Sequence, residues 1–382
     1  METMQPVMKW GRYVWDKINM PETEFLQRVK AIKDEMRKER IDVLLVYGRG
    51  TNYYGNSCYI SNYYNNMPNG ALAVIPLKDE VALLYEGFPQ GVAAAKAMTW
   101  VKEVRVGRDA SEECIKYLEE KGLVPAAIGL AGLRELMPYS QWQNIQKSFK
   151  QYKVTDSGHI IRNLRMVKSQ KECDQIRRGS RIVTNALNLI PNAAHPEMKE
   201  GSLQAFIERS AYLDGAEDCR ILFARPMEEK WTFRPTEDTP LSGGDSIIVY
   251  LAVEFERYWA EGIRTYVAKP HHLVEPDFED AKTAYQQMLS EVKPGIKSAE
   301  LYRGITNLLK KNKVTYLPEP VLGQGIGLSL HEFPVINEDD TTKLKEWMCF
   351  NLRLATSDRE VGAIMIGHTL CLSKDGAEVL TQ

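Results

Sequence analysis

Two adjacent residues in the C-terminal part of the chain, His331 and Glu332, have side chains that can move protons. They lie near the end of the glycine-rich segment GQGIGLSLHEFP, at residues 323–334. The pKa of an imidazole lies near neutral pH, so His331 can act as an acid or a base; the alternative is that it only hydrogen-bonds within a sheet. On a strand the two side chains point to opposite faces, so Glu332 either supports a site from behind or is structural.

The glycine spacing in this segment, Gly-x-Gly-x-Gly, also occurs in phosphate-binding loops. Such a loop must lead into a helix whose N-terminus binds the phosphate. The residues that follow, LSLHEFP at 328–334, do not open a helix. The sequence therefore does not predict a nucleotide site.

A second group of candidate contact residues lies in the segment KWTFRPT, at residues 230–236. Trp231, Phe233 and Arg234 combine aromatic surface with a positive charge, which suits the wall of a pocket for a small polar ligand. A surface loop with ordinary charges explains the same residues equally well.

The elements that would position these residues form an α/β pattern in the first half of the chain. A helical pattern over residues 22–40 precedes a buried strand, after which strands and helices alternate. Ser169, with Glu172 three residues later, then predicts a new helix start. We therefore expect an N-terminal domain at residues 1–160 and a second domain at 161–382.

The second half reads as α+β. It begins with a long helix that we expect to end before Pro191, because proline interrupts a helix. Strands follow, including the apolar run Ser246 to Leu251, and a helix is predicted from Ser298 to Lys311. The remaining sequence is rich in strand formers.

The composition is that of an ordinary folded protein. The 382 residues are 44% hydrophobic and 26% charged, which suits two domains. A formal net charge of -2 gives no overall field that would favour nucleic acid or an anionic membrane. The six cysteines lack zinc-site spacing and should be free thiols, and no signal-like apolar segment is present. We expect a cytoplasmic protein with neither a nucleic-acid nor a membrane partner.

Three segments of the second half resemble the creatinase, prolidase and aminopeptidase P family. They are RMVKSQKE at 165–172, GDSIIVYLAVEFERYWAEGIRT at 244–265, and the glycine-rich segment at 323–334. Their order and spacing fit the family from residue 165 to the end of the chain. The resemblance implies a C-terminal pita-bread domain, a curved antiparallel sheet flanked by helices, after an α/β N-terminal domain.

The family's metal site contains two Asp, one His and two Glu, which hold two divalent ions. The matching positions in this chain are Tyr250, Glu261, Gln324, Arg353 and Gly367. Among these, Glu261 could still be a ligand, whereas the cationic Arg353 would repel a divalent ion. The resemblance therefore implies a member of the family that has lost its metals and uses no cofactor.

Two interpretations of this altered site follow from the resemblance. Glu261 and Arg353 could form a structural ion pair whose hydrogen bonds are completed by Tyr250 and Gln324. Alternatively, Arg353 binds a substrate anion while Glu261 acts as a base. His331 matches the family's substrate-facing histidine, which favours it as the proton shuttle.

Creatinase is the metal-independent branch of the family and hydrolyses C–N bonds of small guanidino or amidine compounds. This chain has no histidine at residues 230–236, where that branch has its catalytic one. We expect a metal-independent hydrolase of a C–N bond in a compact polar substrate. A metal-free lyase or isomerase, or an inactive pseudopeptidase that serves as a binding module, are the alternatives.

The segment at residues 52–66 is rich in Tyr and Asn. In the family the corresponding loop reaches across a homodimer and helps to close the partner's pocket. The resemblance thus implies a homodimer in which Tyr63, Tyr64 and Asn65 are contacts. A turn with half-buried aromatic side chains is the alternative.

Overall fold

The computed structural model describes residues 14–50, 53–64, 67, 69–123, 125, 127–195, 197–226, 232–269, 271–276 and 278–382. The chain divides into two compact units, the first ending at Arg165 and the second beginning at Met166. None of the helices in the described part of the chain combines the length and the apolar composition needed to span a bilayer.

The N-terminal unit is an α/β structure built on one mixed sheet. Its strands are β1 (Val43–Arg49), β2 (Gly70–Pro76), β3 (Ala82–Glu86), β4 (Glu103–Gly107), β5 (Ala127–Ala131) and β6 (Lys153–Asp156). Its helices are α1 (Glu22–Glu39), α2 (Gly55–Ser61), α3 (Val92–Met98), α4 (Ala110–Glu120), α5 (Leu133–Leu136), α6 (Tyr139–Ser148) and α7 (Gly158–Met166). The strand order is β4-β3-β2-β1-β5-β6, with β2 antiparallel to both β1 and β3 and the other pairs parallel.

The C-terminal unit is an antiparallel sheet flanked by helices, as the sequence predicts. Its strands are β7 (Asp218–Ala224), β8 (Ser246–Phe255), β9 (Tyr258–Ala268), β10 (Leu273–Val274), β11 (Gly323–Gly325), β12 (Glu332–Ile336), β13 (Cys349–Asp358), β14 (Gly362–Ser373) and β15 (Gly376–Val379). Its helices are α8 (Gln170–Ala193), α9 (Glu200–Leu213), α10 (Glu279–Glu291) and α11 (Ser298–Lys311). The main path of the sheet is β12-β11-β13-β14-β9-β8-β7, while β10 pairs with β9 and β15 with β14.

Helix α8 begins where the sequence predicts and continues further than expected. The side chain of Ser169 accepts the backbone N–H of Glu172, and the Glu172 side chain accepts the N–H of Ser169, which completes the capping box. The expectation that the helix ends before Pro191 is wrong, because α8 includes this residue in its last turn. Proline has no N–H for the carbonyl of Leu187, and the hydroxyl group of Tyr266 donates to that carbonyl instead, at 3.0 Å.

The two faces of the C-terminal sheet differ in what covers them. Along β8, Val249 and Leu251 are buried in a core that includes Val183 and Leu187 of α8. Successive side chains of a strand alternate between faces, so Tyr250 points to the opposite face. That opposite face carries the candidate site.

Candidate active site

The strand register brings four of the five altered metal positions onto one face of the sheet. Directly opposite residues of antiparallel strands point to the same face, as do residues two apart along a strand. Tyr250 on β8 lies opposite Ile263 on β9, two residues after Glu261. Ile263 lies opposite Gly367 on β14, which lies opposite Arg353 on β13.

Gln324 on β11 belongs to the same group and connects it to His331. Its backbone N–H donates to the side chain of Asn351, two residues before Arg353, at 2.9 Å. Its side-chain amide contacts Nδ1 of His331, which lies just before β12. The Nε2 atom of His331 has no hydrogen-bond partner among the described residues, and the side chain is exposed. His331 therefore lies at the open edge of the group, where it can meet a ligand.

The carboxyl group of Glu261 is the buried centre of the group, with the residue 4% exposed. The Tyr250 hydroxyl group donates to its Oε2 atom at 2.9 Å. Burial raises the pKa of Glu261 to about 7, while the Tyr250 hydrogen bond and the positive charge of Arg353 act in the opposite direction. Glu261 can therefore gain or lose a proton near neutral pH.

His331 is shifted in the direction that keeps it neutral. Partial burial of the ring lowers its pKa from the ordinary value, and the positive charges of Arg353 and Arg220 lower it further. Burial raises the pKa of Tyr250 well above its usual value, so the phenol keeps its proton and remains a donor to Glu261. At neutral pH the group thus contains a neutral imidazole and a carboxyl group that is partly protonated.

Arg353 is held loosely by the protein. Among the described residues, Arg353 does not form the ion pair with Glu261 that one of the two interpretations requires. Its Nη2 atom donates to the carbonyl of Val321 at 3.3 Å and lies 4.0 Å from the carboxylate of Glu319. The Nε atom is buried and has no hydrogen-bond partner within the described residues. A buried unpaired donor costs about 1 to 3 kcal/mol.

Arg220 is a second cation at this site, and our sequence interpretation missed it. It lies on β7 opposite Ala252, which in turn lies opposite Glu261, so its side chain points to the same face. The guanidinium group lies over the ring of Trp259, 4.7 Å from its centroid, and 3.6 Å from the Asp218 carboxylate. Because β7 begins at Asp218, Arg220 lies two residues before Leu222 and shares its side of the alternating pattern.

Comparison with known proteins identifies the family of this fold and site. The profile of metallopeptidase family M24 matches residues 174–374, more than half of the chain, and that of the creatinase/prolidase N-terminal domain matches residues 28–167. The chain belongs to metallopeptidase family M24.

The relatives of this M24 protein include named peptidases. An Xaa-Pro dipeptidase of Pyrococcus horikoshii is 25% identical over 364 residues, which cover 93% of this chain and 97% of the relative. The crystal structure of the prolidase from the same species superposes with a TM-score of 0.77 at 22% identity, over 93% of this chain and 98% of the other. The N-terminal domain of FACT complex subunit SPT16 from chickpea has a TM-score of 0.69 at 16% identity, over 94% and 96% of the two chains. The two structures show a shared fold, the pita-bread architecture expected from the sequence.

The residues at the M24 metal positions do not fit two divalent ions. Glu261 is the one carboxylate among them, and Arg353 adds a positive charge. At Gly367 a Cβ atom would lie 2.9 Å from the side chain of Ile263, so this position has no room for a ligand side chain unless Ile263 moves. In the described part of the chain, the cluster of potential metal-binding side chains lies elsewhere, at three cysteines.

Glu332 has a structural role in this M24 chain and is not part of the group around Glu261. Its carboxylate pairs with Nζ of Lys168 at 3.1 Å, and the two side chains are 7% and 1% exposed. It also accepts the backbone N–H of Ser329 at 2.9 Å, which fixes the turn before β12. These contacts favour the structural alternative for Glu332 that the sequence left open.

The segment before β8 contributes one of its three candidates to the site. The ring of Phe233 lies 5.9 Å from that of Tyr250. Arg234 instead pairs with the buried carboxylate of Glu200 on α9 at 2.8 Å, and it lies opposite Phe223, whose side chain is in the helix-covered core. Arg234 is thus turned away from Tyr250, contrary to the expected pocket wall. Trp231 lies outside the described residues.

The Tyr- and Asn-rich segment is more ordered than the loop we expected, since α2 forms within it. Tyr63 and Tyr64 are 5% and 2% exposed. Their rings lie 5.3 Å from Tyr85 and 5.1 Å from Tyr54, respectively, inside the N-terminal unit. Both tyrosines thus pack within their own unit, and their contact with a partner stays a prediction. Asn65 lies outside the described residues, and the homodimer stays a prediction.

Proposed function

We propose that this M24 protein is a hydrolase that cleaves a C–N bond without divalent metal, in a compact substrate that carries a carboxylate or a similar anion. The observation that carries the proposal is the placement of two cations, Arg353 and Arg220, on the same sheet face as Glu261. A guanidinium group suits bidentate binding of a carboxylate. The names of the Xaa-Pro dipeptidase relatives support a C–N bond of the peptide type.

The pKa shifts suggest how the proton transfers are divided. Neutral His331 takes a proton from water as the water oxygen bonds to the carbon of the substrate. Protonated Glu261 donates a proton to the leaving nitrogen as the C–N bond breaks. His331 then releases its proton and Glu261 regains one, which restores both groups. An acid and a base whose pKa values are tuned by their surroundings are what such chemistry requires at neutral pH.

The role of His331 as the base sets a condition on Gln324. In the structure the amide nitrogen of Gln324 faces Nδ1 of His331. For the lone pair to lie on Nε2, Nδ1 must carry the proton, and the Gln324 amide must turn so that its oxygen accepts it. The oxygen and nitrogen of a glutamine amide exchange places by rotation about its last bond, and the hydrogen-bond network decides between them. The positive charges of Arg220 and Arg353 favour this neutral state over an imidazolium.

A substrate panel tests the proposal directly. Chelator-dialysed protein is assayed against Xaa-Pro dipeptides, N-carbamoyl amino acids and N-amidino amino acids, in water enriched in ¹⁸O. We expect turnover with one ¹⁸O in the carbonyl product. Glu261→Gln should lower the activity by about 100-fold or more. Arg353→Lys should lower it by about 10- to 100-fold. Arg264→Lys is the matched control, because Arg264 bonds Asn188 and Glu275 away from the site.

Each other outcome has a defined meaning. Activity that needs added divalent metal would refute the metal-independent proposal, and products without ¹⁸O would favour a lyase. An unchanged Arg353→Lys variant would refute the anion-binding role. Binding of these carboxylates by Arg353 without any turnover would favour a pseudopeptidase that serves as a binding module.

A further inference from the structure

Three buried cysteines that lie far apart in the sequence meet in the C-terminal unit. The sulfur of Cys173 lies 3.7 Å from that of Cys349 and 3.6 Å from that of Cys371. All three sulfurs lie within 4.8 Å of one another. The residues are at most 2% exposed. None of them takes part in the proposed hydrolytic site.

The fold fixes each cysteine independently of the others. Cys349 and Cys371 are directly opposite each other on β13 and β14. Cys173 lies in the first turns of α8, where its backbone N–H donates to the carbonyl of Ser169. The start of this helix is attached to the sheet region, since the N–H of Lys168 donates to the carbonyl of Trp347 at 2.9 Å. The three thiols are therefore held together by the tertiary structure.

We propose that this cluster binds one thiophilic metal ion of the Zn²⁺ or Cu⁺ class through three thiolates. An ion with metal–sulfur bonds of about 2.3 Å separates its sulfurs by about 3.8 Å in tetrahedral geometry and by about 4.0 Å in trigonal geometry. The separations of 3.7 Å and 3.6 Å are within a few tenths of an ångström of these values. A disulfide would need a separation of about 2.05 Å, a much larger movement for side chains packed in a core.

The three thiols differ in how readily they ionise. Hydrogen bonds with Cys173 and Cys349 lower the pKa of the Cys371 thiol, and the positive charges of Arg177 and Lys168 act in the same direction. Hydrogen bonds within the cluster and burial raise the pKa of Cys349 and of Cys173, so a bound cation must displace their protons. Soft sulfur ligands select Zn²⁺ and Cu⁺ over the hard ions that carboxylate sites prefer. A bound ion would thus clamp α8 to β13 and β14.

Metal analysis of the full-length protein tests this site. The protein is produced in medium supplemented with ZnCl₂ or, as a spectroscopic probe, CdCl₂, and is then dialysed against a weak chelator. We expect about one equivalent of metal per chain in the wild type and roughly a tenth or less in Cys349→Ser and Cys371→Ser. Cadmium should also give ultraviolet thiolate charge-transfer absorption. Cys114→Ser is the control, because Cys114 is equally buried but lies on α4 in the other unit.

Two controls distinguish loss of metal binding from unfolding of a variant. Near-ultraviolet circular dichroism checks each variant, and Cys173→Ala provides a second test if a serine variant loses its fold. Metal below a tenth of an equivalent in the wild type would refute the proposal, as would metal that persists in both cluster variants. A mass about 2 Da lower without reductant, lost in Cys349→Ser, would show a disulfide instead and would also refute it.

Discussion

Replacing Tyr250 by phenylalanine tests the electrostatic account of the site in a single step. The variant removes the hydroxyl group that donates to Glu261 at 2.9 Å and leaves the ring and its contact with Phe233 in place. A hydrogen bond to a charged group contributes about 1.5 to 3 kcal/mol. One pKa unit corresponds to 1.36 kcal/mol, so losing the bond should raise the Glu261 pKa by about 1 to 2 units.

The direction and the end point both follow from the structure. Tyr250 donates its hydrogen bond to the carboxylate, so the bond favours the charged form and its loss favours the protonated one. Starting from about 7, the pKa of Glu261 should rise to about 8 or 9 in Tyr250→Phe. The descending alkaline limb of kcat/KM should move up in pH by the same amount, because Glu261 must be protonated to donate.

The assay does not depend on knowing the substrate. Protein labelled with ¹³C at the glutamate carboxyl carbons is titrated by NMR, and the signal that disappears in Glu261→Gln identifies Glu261. Tyr266→Phe is the matched control, because Tyr266 is also buried but bonds the Leu187 carbonyl on the helix-covered side. An unchanged Glu261 pKa in Tyr250→Phe, or an equal shift in the control, would refute the reasoning.

Further predictions concern Glu261, His331 and Gln324 and, outside their group, Glu332. Because the folded-state pKa of Glu261 is raised to about 7 from its usual 4.5, the native state keeps a proton that the unfolded state releases, and stability falls as pH rises through this window. Glu261→Gln should remove about 3 kcal/mol of this pH dependence, measured by denaturant unfolding at pH 5 and pH 8. His331→Ala should lower turnover by about 100-fold or more and leave the melting temperature within a few degrees of the wild type. Glu332→Gln should instead destabilise the protein by about 3 kcal/mol or more, because Lys168 is left buried without its charged partner. Gln324→Glu should raise the pKa of His331 by about 1 to 2 units in a ¹H NMR titration, since it places a carboxylate beside Nδ1, while Gln324→Met should not raise it.

Local sequence signals predict the elements well where they depend on neighbours in the chain. The capping box at Ser169 and the helical pattern from Ser298 to Lys311 both correspond to helix starts in the structure. The predicted end of α8 before Pro191 is wrong. The hydrogen bond that proline cannot donate is replaced by one from Tyr266, which is distant in the sequence. A local pattern cannot contain that partner.

The residues of the site could be predicted from the sequence only where a family motif fixed their positions. Tyr250, Glu261 and Gln324 follow from matched positions, and the structure brings them together. The sequence left the role of Glu332 open, because its partner, Lys168, lies 164 residues away and nothing in the local pattern links them. The sequence does not predict the cysteine cluster for the same reason, since its members are separated by 176 and 198 residues. Five of the six cysteines are buried and Cys219 is partly exposed, whereas the meeting of three of them depends on the tertiary fold.

Two observations support the proposal that the site works without metal. An acidic side chain at Gly367 would place its Cβ 2.9 Å from the side chain of Ile263, so Ile263 would have to move to admit a ligand there. Arg353 lies directly opposite Gly367 and brings a cation to this face, and Arg220 on β7 adds a second one. Under the proposed function these two arginines supply the charge that orients an anionic substrate.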